Sequence, residues 1–292
     1  MPVRSLLLGC LLILLYGCSS GLKIDTRYAS QNHDSRVQYI VLHYTSSGFE
    51  RSLDHLMRGE VSSHYLIGDQ PPIIYRLVEE DRRAWHAGDS SWQGRTWLNS
   101  PSIGIEIVHP GYSDTAAGRV WHPWQQDQID ALIPLLRDIL QRHGLGPDRV
   151  IGHSDIAPQR KVDPGPLFPW QQLAAAGVAI WPEPERVAAY QRQLNHQPPP
   201  AEWFDMALEQ FGYNLARTPQ QVNATRNIIA AFQMRFRPAR YDGVADAETA
   251  AILATLVPAS VNSPLWCRPV ASPSAPPSGA GLPPCSRPAR AY

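Results

Sequence analysis

Residues 40–44, IVLHY, decide the fold that this sequence predicts. The run, together with the tyrosine before it, is short, β-branched and apolar on both faces, which is typical of a strand buried in the middle of a sheet. His43 then stands where the strand emerges. A second β-branched run, residues 150–153 (VIGH), ends in the same way on His153. The sequence therefore predicts two buried strands that each end on a histidine.

A carboxylate follows the second histidine closely, at Asp163. Zinc accepts two imidazoles and one carboxylate in tetrahedral geometry, and catalytic zinc sites leave the fourth position to water. A single histidine near a strand end is more often a hydrogen-bonded structural residue, however. The sequence also lacks an HExxH helix, which would bind metal locally. Spacing alone leaves the metal and the structural interpretations open.

The charge balance excludes one class of partner. The 292 residues contain 26 Lys and Arg and 26 Asp and Glu, so the net charge is zero. Binding to nucleic acid calls for a basic face. We therefore expect no nucleic-acid partner, and the length allows one large domain or two ordinary ones.

The N-terminus resembles an export signal. After Arg4, residues 5–15 are apolar over the length of a signal peptide and too short to span a bilayer as a helix. Residues 15–18, LYGC, resemble a bacterial lipobox, which makes Cys18 the expected lipidation site, although Tyr16 replaces the usual small residue. The alternative is an uncleaved apolar anchor.

The rest of the first half alternates strands and helices. Residues 64–67 and 73–75 flank a turn and predict a hairpin. In residues 103–108, IGIEIV, Glu106 interrupts an apolar run. Its carboxylate either points to solvent, or it is paired or has a function, since an ionised carboxylate is costly in apolar surroundings. Residues 124–143 predict a helix that ends at Gly144, with a kink at Pro134.

Five blocks carry a resemblance to a known family. IVLHYTSS, SSHYLIG, AWHAGDSSW, NSPSIGIEIVH and IGHSDIAPQRKVDPGPLFPW resemble the type 2 N-acetylmuramoyl-L-alanine amidases, in the family's order across residues 37 to about 175. The closest resemblance is to lipoprotein amidases of Gram-negative outer membranes. Further on, AFQMRF and DGVADAETAAIL resemble small peptidoglycan-binding domains. The resemblance implies an α/β fold, a central mixed β-sheet flanked by helices, followed by a small three-helix domain.

The resemblance and the composition together predict the domain organisation. The expected parts are a lipoprotein signal peptide (1–17), an N-terminal linker (18–36), a zinc amidase domain (37–180), a second linker (181–202), a helical peptidoglycan-binding domain (203–257) and a Pro-rich disordered tail (258–292). Cys267 and Cys285 fall in the tail, and the sequence leaves open whether they pair.

The resemblance also implies a function and its residues. The family hydrolyses the amide between the lactyl group of N-acetylmuramic acid and L-alanine of the stem peptide. The implied zinc ligands are His43, His153 and Asp163, with Glu106 as catalytic proton acceptor and Lys161 beside the oxyanion. His64 and His86 receive no catalytic role.

Two other functions stay open from the sequence. One is a non-catalytic peptidoglycan recognition protein, and the other is a zinc peptidase that cuts within the stem peptide. The expected partners are peptidoglycan or muropeptides and, through the lipid on Cys18, a membrane; the chain is expected to be a monomer. Ser19 after the cysteine, in place of Asp, favours the periplasmic face of the outer membrane of a Gram-negative bacterium.

Overall fold

The computed structural model describes residues 24–196, 199–215, 223–259 and 261. The expected signal peptide, Cys18 and both tail cysteines lie outside these residues. The chain divides into two compact units, Met1–Asp34 and Ser35–Tyr292. In the described part of the first unit, Arg27 donates hydrogen bonds to the carboxylate of Asp25. Among the described residues, no helix has the length and apolar character that a membrane span requires.

The second unit is built on a mixed five-stranded sheet with strand order β3-β2-β6-β1-β9. Strand β1 (Tyr39–Tyr44) lies in parallel between β6 (Ser102–Ile107) and β9 (Val150–Gly152). Strand β2 (Tyr65–Ile67) is parallel to β6, and β3 (Ile74–Arg76) is antiparallel to β2. Every residue of β1 is buried, so the predicted central strand is confirmed. The antiparallel pairing of β2 with β3 confirms the predicted hairpin.

Two small hairpins and eight helices complete the described structure. The hairpins pair β4 (Ser91–Trp92) with β5 (Arg95–Thr96) and β7 (Tyr112–Thr115) with β8 (Gly118–Trp121). The helices are α1 (Phe49–Arg58), α2 (Gln126–His143), α3 (His153–Ile156), α4 (Trp170–Ala175), α5 (Pro184–Leu194), α6 (Ala201–Phe211), α7 (Ala224–Phe236) and α8 (Ala247–Leu256).

Helix α2 covers one face of the sheet. Its apolar stripe is buried in the same cluster as Ile40 and Leu42 of β1 and consists of Ile129, Leu132, Leu136, Ile139 and Leu140. The helix ends at Gly144, whose φ of 64° is the left-handed conformation that glycine adopts without strain. The predicted helix and its stop are confirmed, and the kink at Pro134 stays a prediction.

The other face of the sheet is continuous with the C-terminal helices. Tyr39 and Val41, which alternate with the residues facing α2, belong to one buried cluster with Trp203, Phe232 and Leu253 of helices α6, α7 and α8. Because the two faces of β1 belong to two different clusters, the central strand is fully enclosed. The helical region therefore shares a core with the sheet, and the proposed boundary at residues 181–202 stays a prediction.

One partly buried polar cluster ties the end of α2 to strand β2 of the sheet. The carboxylate of Glu80 accepts hydrogen bonds from Tyr65 Oη at 2.6 Å, from both terminal nitrogens of Arg142, and from His143 Nε2 at 2.8 Å. Burial alone would raise the pKa of Glu80, but these donors together lower it from 4.5 to about 2. The ionised carboxylate is therefore the form that the fold stabilises.

We expect Glu80 to make the free energy of unfolding depend on pH in the acid range. Its folded pKa lies below its ordinary value, so its contribution is complete above pH 4.5 and is lost as the pH falls towards about 2. For a partly exposed cluster this amounts to about 1–2 kcal/mol. Urea unfolding of the wild type and Glu80→Gln across this range measures it. Glu79→Gln, at the exposed neighbouring carboxylate, is the control and should follow the wild type.

Candidate metal centre and catalytic cleft

Parallel pairing brings the two strand-end histidines together. Leu42 of β1 is in register with Gly152 of β9, so the next residues, His43 and His153, are neighbours at the same edge of the sheet. His43 Nδ1 lies 2.9 Å from His153 Nδ1. Asp163 enters on the loop after α3, and its Oδ2 lies 3.2 Å and 3.0 Å from these two nitrogens. All three side chains are buried.

These three residues fit a zinc ion by their donor chemistry and by their arrangement. Two imidazole nitrogens and one carboxylate oxygen lie within 4.8 Å of one another. This is the donor set of a catalytic zinc site, which uses three protein ligands. Within the described ranges, no other group of three His, Cys, Asp or Glu side chains converges in this way. The residues expected to hold the metal are thus assembled by the fold.

The electrostatics of the cluster favour the protonation states that bind metal. Burial, and next the neighbouring His153, lowers the pKa of His43 to about 4, so its imidazole is neutral at pH 7. Burial alone would raise the pKa of Asp163, but His153 and His43 hold it well below its usual range. A neutral imidazole and an ionised carboxylate are the forms that coordinate zinc.

A chain of hydrogen bonds supports His43 through its second ring nitrogen, Nε2. Its Nε2 lies 3.0 Å from His86 Nδ1, and His86 Nε2 lies 3.2 Å from Ser102 Oγ. The Ser102 hydroxyl in turn donates to Leu98 O. If His43 binds metal through Nδ1, its Nε2 carries the proton, His86 accepts at Nδ1 and donates to Ser102. Such partners orient a ligand and tune its basicity.

The backbone near His86 leaves room for this arrangement. A Cβ at Gly104 would lie 2.4 Å from His86 Cγ, so only glycine fits there. His64, in contrast, accepts a hydrogen bond from Gly104 N at 3.0 Å and lies 3.2 Å from Arg82 O through its other nitrogen. It is therefore satisfied by the backbone. Sequence reasoning gave no role to His86, and its only signal was the AWHAG block.

Glu106 stands beside the candidate metal ligands. It is the register partner of His43 on the neighbouring strand β6. Its Oε2 is buried and has no hydrogen-bond partner in the described structure. Burial, and next the charge of Asp163, raises the pKa of Glu106 to about 8, while Lys161 opposes the rise. Glu106 is therefore half-buried and lines the cleft, and the residue is poised to bind or release a proton near neutral pH.

The candidate site opens into a cleft of about 560 Å³. The cleft is lined by the predicted residues His43, Glu106, His153, Lys161 and Asp163. Lys161 and Asp163, two positions apart, thus line the same space. The predicted site residues of the catalytic region are all brought together, whereas Cys18 lies outside the described residues.

Sequence reasoning left Trp85 open as a core residue or a platform for a sugar, and it missed two other side chains of the cleft, Tyr112 and Arg160. Tyr112 of β7 lines it, and Trp85, which is 48% exposed, lies under the guanidinium of Arg83 at 4.1 Å. Arg160 donates to Ala87 O and Asp89 O and so closes one side of the cleft. Trp85 and Arg160 fall in two of the blocks that resemble the family, whereas Tyr112 falls in none of them.

Comparison with known proteins gives the family. A family model described as N-acetylmuramoyl-L-alanine amidase matches residues 33–166, and one described as a putative peptidoglycan binding domain matches residues 197–253. The N-acetylmuramoyl-L-alanine amidase AmiD of Escherichia coli is 43% identical over 262 residues, which cover 84% of this chain and 94% of AmiD.

Two solved structures have the same fold. The complex of E. coli AmiD with anhydro-N-acetylmuramic acid-L-Ala-D-γ-Glu-L-Lys is 44% identical, has a TM-score of 0.74 and covers 81% of this chain and 94% of that one. AMPDH3 of Pseudomonas aeruginosa, in complex with an anhydromuramic pentapeptide, is 39% identical, has a TM-score of 0.75 and covers 81% and 98%. With this identity over nearly the whole length of its relatives, the chain belongs to the N-acetylmuramoyl-L-alanine amidase family.

Proposed function

We propose that this amidase is a zinc enzyme whose metal is held by His43, His153 and Asp163. It hydrolyses the amide between the lactyl group of N-acetylmuramic acid and L-alanine of the stem peptide, in cell wall turnover or recycling. The observation that carries the metal assignment is the convergence of three buried donor atoms beside the orphaned carboxylate of Glu106. A cleft of about 560 Å³ gives access to them.

The substrates in the related structures support a muropeptide as the ligand of this cleft. AmiD was solved with an anhydromuramic tripeptide and AMPDH3 with an anhydromuramic pentapeptide. We propose the same class for residues 37–180, with residues 203–257 binding peptidoglycan as a second site. A tethered second site raises the effective concentration of the cleft at the polymer without changing its chemistry.

Zinc in such a site acts as a Lewis acid and lowers the pKa of bound water towards about 7. The protein supplies the proton transfer. Glu106 takes a proton from the attacking water, whose oxygen bonds to the lactyl carbonyl carbon. As the C–N bond breaks, Glu106 gives that proton to the departing nitrogen of L-alanine. A pKa raised to about 8 suits a group that must do both. Lys161 places its ammonium beside the carbonyl oxygen as negative charge develops there.

We expect Glu106→Gln to separate catalysis from metal binding. The amide keeps the shape of the side chain but accepts no proton, so activity on soluble muropeptide should fall by about 10²- to 10⁴-fold. Atomic absorption should still find about one zinc per chain, since three ligands remain. Glu185→Gln, at an exposed carboxylate on α5, is the control and should match the wild type. A variant with full activity would remove Glu106 from the mechanism.

The ligand variants should behave differently. His43→Ala and Asp163→Ala each leave two ligands, which rarely hold zinc tightly, so metal and activity should disappear together. In the wild type, a chelator should abolish activity and added zinc should restore it. Full activity after exhaustive chelation would show that the metal assignment is wrong.

The two rival functions predict other products. A recognition protein releases none, and the presence of Glu106 with all three ligand residues argues against it. A zinc peptidase would leave the lactyl amide intact and cut inside the stem peptide. Mass spectrometry of wall digests decides between them: the amidase yields a peptide with a new N-terminal L-alanine and a glycan with a free lactyl carboxylate.

We also propose that the protein is a lipid-anchored monomer on the periplasmic face of the outer membrane. Support comes from residues 15–18, LYGC, at the end of an apolar segment, and from the peptidoglycan-binding match further along the chain. Residues 1–17 would be the signal peptide, and acyl chains on Cys18 would attach the mature chain. More than one chain is needed, because a single acyl chain gives only marginal attachment.

We therefore expect Cys18→Ala to release the protein from membranes when cells are fractionated. Cys267→Ala, at a cysteine remote from the lipobox, is the control and should remain membrane-bound. Unchanged membrane association of Cys18→Ala would favour the uncleaved apolar anchor.

A further inference from the structure

Asp155 is a buried carboxylate next to the candidate metal ligand His153. It lies in the first turn of α3, two residues after His153, and is 1% exposed. Its Oδ2 accepts a hydrogen bond of 2.8 Å from the backbone nitrogen of Gly152, the residue before the ligand. Asp155 therefore holds the short turn that carries His153.

The same turn contacts the loop that carries Asp163, another candidate metal ligand. Ser154 N donates to Asp163 O at 2.8 Å. Gly152 packs so closely that a Cβ there would lie 2.8 Å from Pro164 Cδ. A displacement of this turn would consequently move His153 relative to Asp163.

Two side chains from the helical C-terminal region reach Asp155. Arg235 of α7 donates from Nη1 to Asp155 Oδ2 at 2.7 Å, and Tyr213 donates from its hydroxyl to Oδ1 at 2.9 Å. Arg235 Nη2 also donates to the carbonyl of Val150, at the start of β9, at 3.0 Å. Arg235 and Tyr213 are 3% and 2% exposed. The guanidinium thus joins the strand that leads to His153 with the turn that follows it.

Stability alone gives a poor account of this ion pair. Removing two charges from water costs about as much as their attraction returns, and a well-packed apolar group often does as well. Arg235 Nε is moreover buried without a hydrogen-bond partner in the described structure, a further cost. The contacts do fix the orientation of the Asp155 carboxylate, because Arg235 donates to Oδ2 and Tyr213 donates to Oδ1.

We propose that Arg235 and Tyr213 are positioning residues of the metal site, through which the helical C-terminal region sets the geometry of His153 by holding Asp155. This inference rests on the zinc site of the proposed function. The helical region is then more than a tether to peptidoglycan, because two of its side chains complete the support of the catalytic turn. Neither residue touches substrate or metal.

The test uses the full-length protein and two readouts of the metal site. Zinc affinity is measured by competition with a chelator, and ligand geometry by the visible spectrum of the cobalt-substituted protein. Tyr213→Phe removes one hydroxyl and keeps the ring, and Arg235→Met removes the charge. We expect zinc to bind about 10-fold more weakly in the first and up to about 100-fold more weakly in the second, as for other outer partners of ligands. Both cobalt spectra should shift. The fall in kcat should be a larger factor than any change in KM.

Arg237→Met is the matched control. Arg237 belongs to the same region, is 5% exposed and pairs with Asp246 at 2.8 Å, so its loss weakens the helices without touching Asp155. Its zinc affinity and cobalt spectrum should equal those of the wild type. Arg235→Lys, which keeps the charge but not the second hydrogen bond, should lie between wild type and Arg235→Met.

Wild-type zinc affinity and an unchanged cobalt spectrum in Tyr213→Phe would overturn the inference, and this variant keeps the test decisive if Arg235→Met fails to fold. An effect of Arg237→Met as large as that of Arg235→Met would also overturn it, since general destabilisation would explain both. Failure of the proposed function looks different: the wild type itself would bind neither zinc nor cobalt.

Discussion

The parallel pairing of β1 with β6 and β9 is the interaction on which the site depends. Parallel strands end at the same edge of a sheet, so three strands supply His43, Glu106 and the turn of His153 side by side. The pairing is stable because β1 is apolar on both faces and both are covered. A slip of one residue in β1 would turn His43 away from its partners.

At this edge of the sheet, the surroundings of Glu106 and Asp163 shift the pKa values of the two carboxylates in opposite directions. Both line the same cleft, and burial alone would raise the pKa of each. Asp163 is compensated by His153 and His43 and stays ionised, whereas Glu106 lacks such partners and its pKa rises to about 8. Environments that separate two carboxylates in this way suit different roles, here those of the proposed metal ligand and the proposed proton carrier.

The helical C-terminal region meets the catalytic region through its core and through polar contacts. Its aromatic residues share the cluster that covers one face of the sheet. Trp121 of β8, in the hairpin whose Tyr112 lines the cleft, donates to the hydroxyl of Tyr241 at 2.7 Å and packs on Gly165, just beyond Asp163. A region matched to peptidoglycan binding is thus also joined mechanically to the hairpin and to the loop that border the cleft. The region matched to peptidoglycan binding and the cleft therefore share one scaffold.

The sequence by itself determined the local features. Apolar runs gave β1 and the hairpin of β2 and β3, and the 3.6-residue stripe with Gly144 gave α2 and its end. Periodicity sufficed there because each element buries its own pattern. The roles proposed for His43, His153 and Asp163 came from resemblance to a family, since spacing alone left a structural alternative open.

Only the tertiary structure decided the contacts that support the site. The chain from His43 through His86 to Ser102 and the hold of Arg235 and Tyr213 on Asp155 each join residues far apart in the sequence. A buried polar residue produces no periodic pattern in the sequence, and its partner depends on which elements pack together. The sequence therefore specified the strands, helices and candidate ligands, while packing specified how those ligands are held.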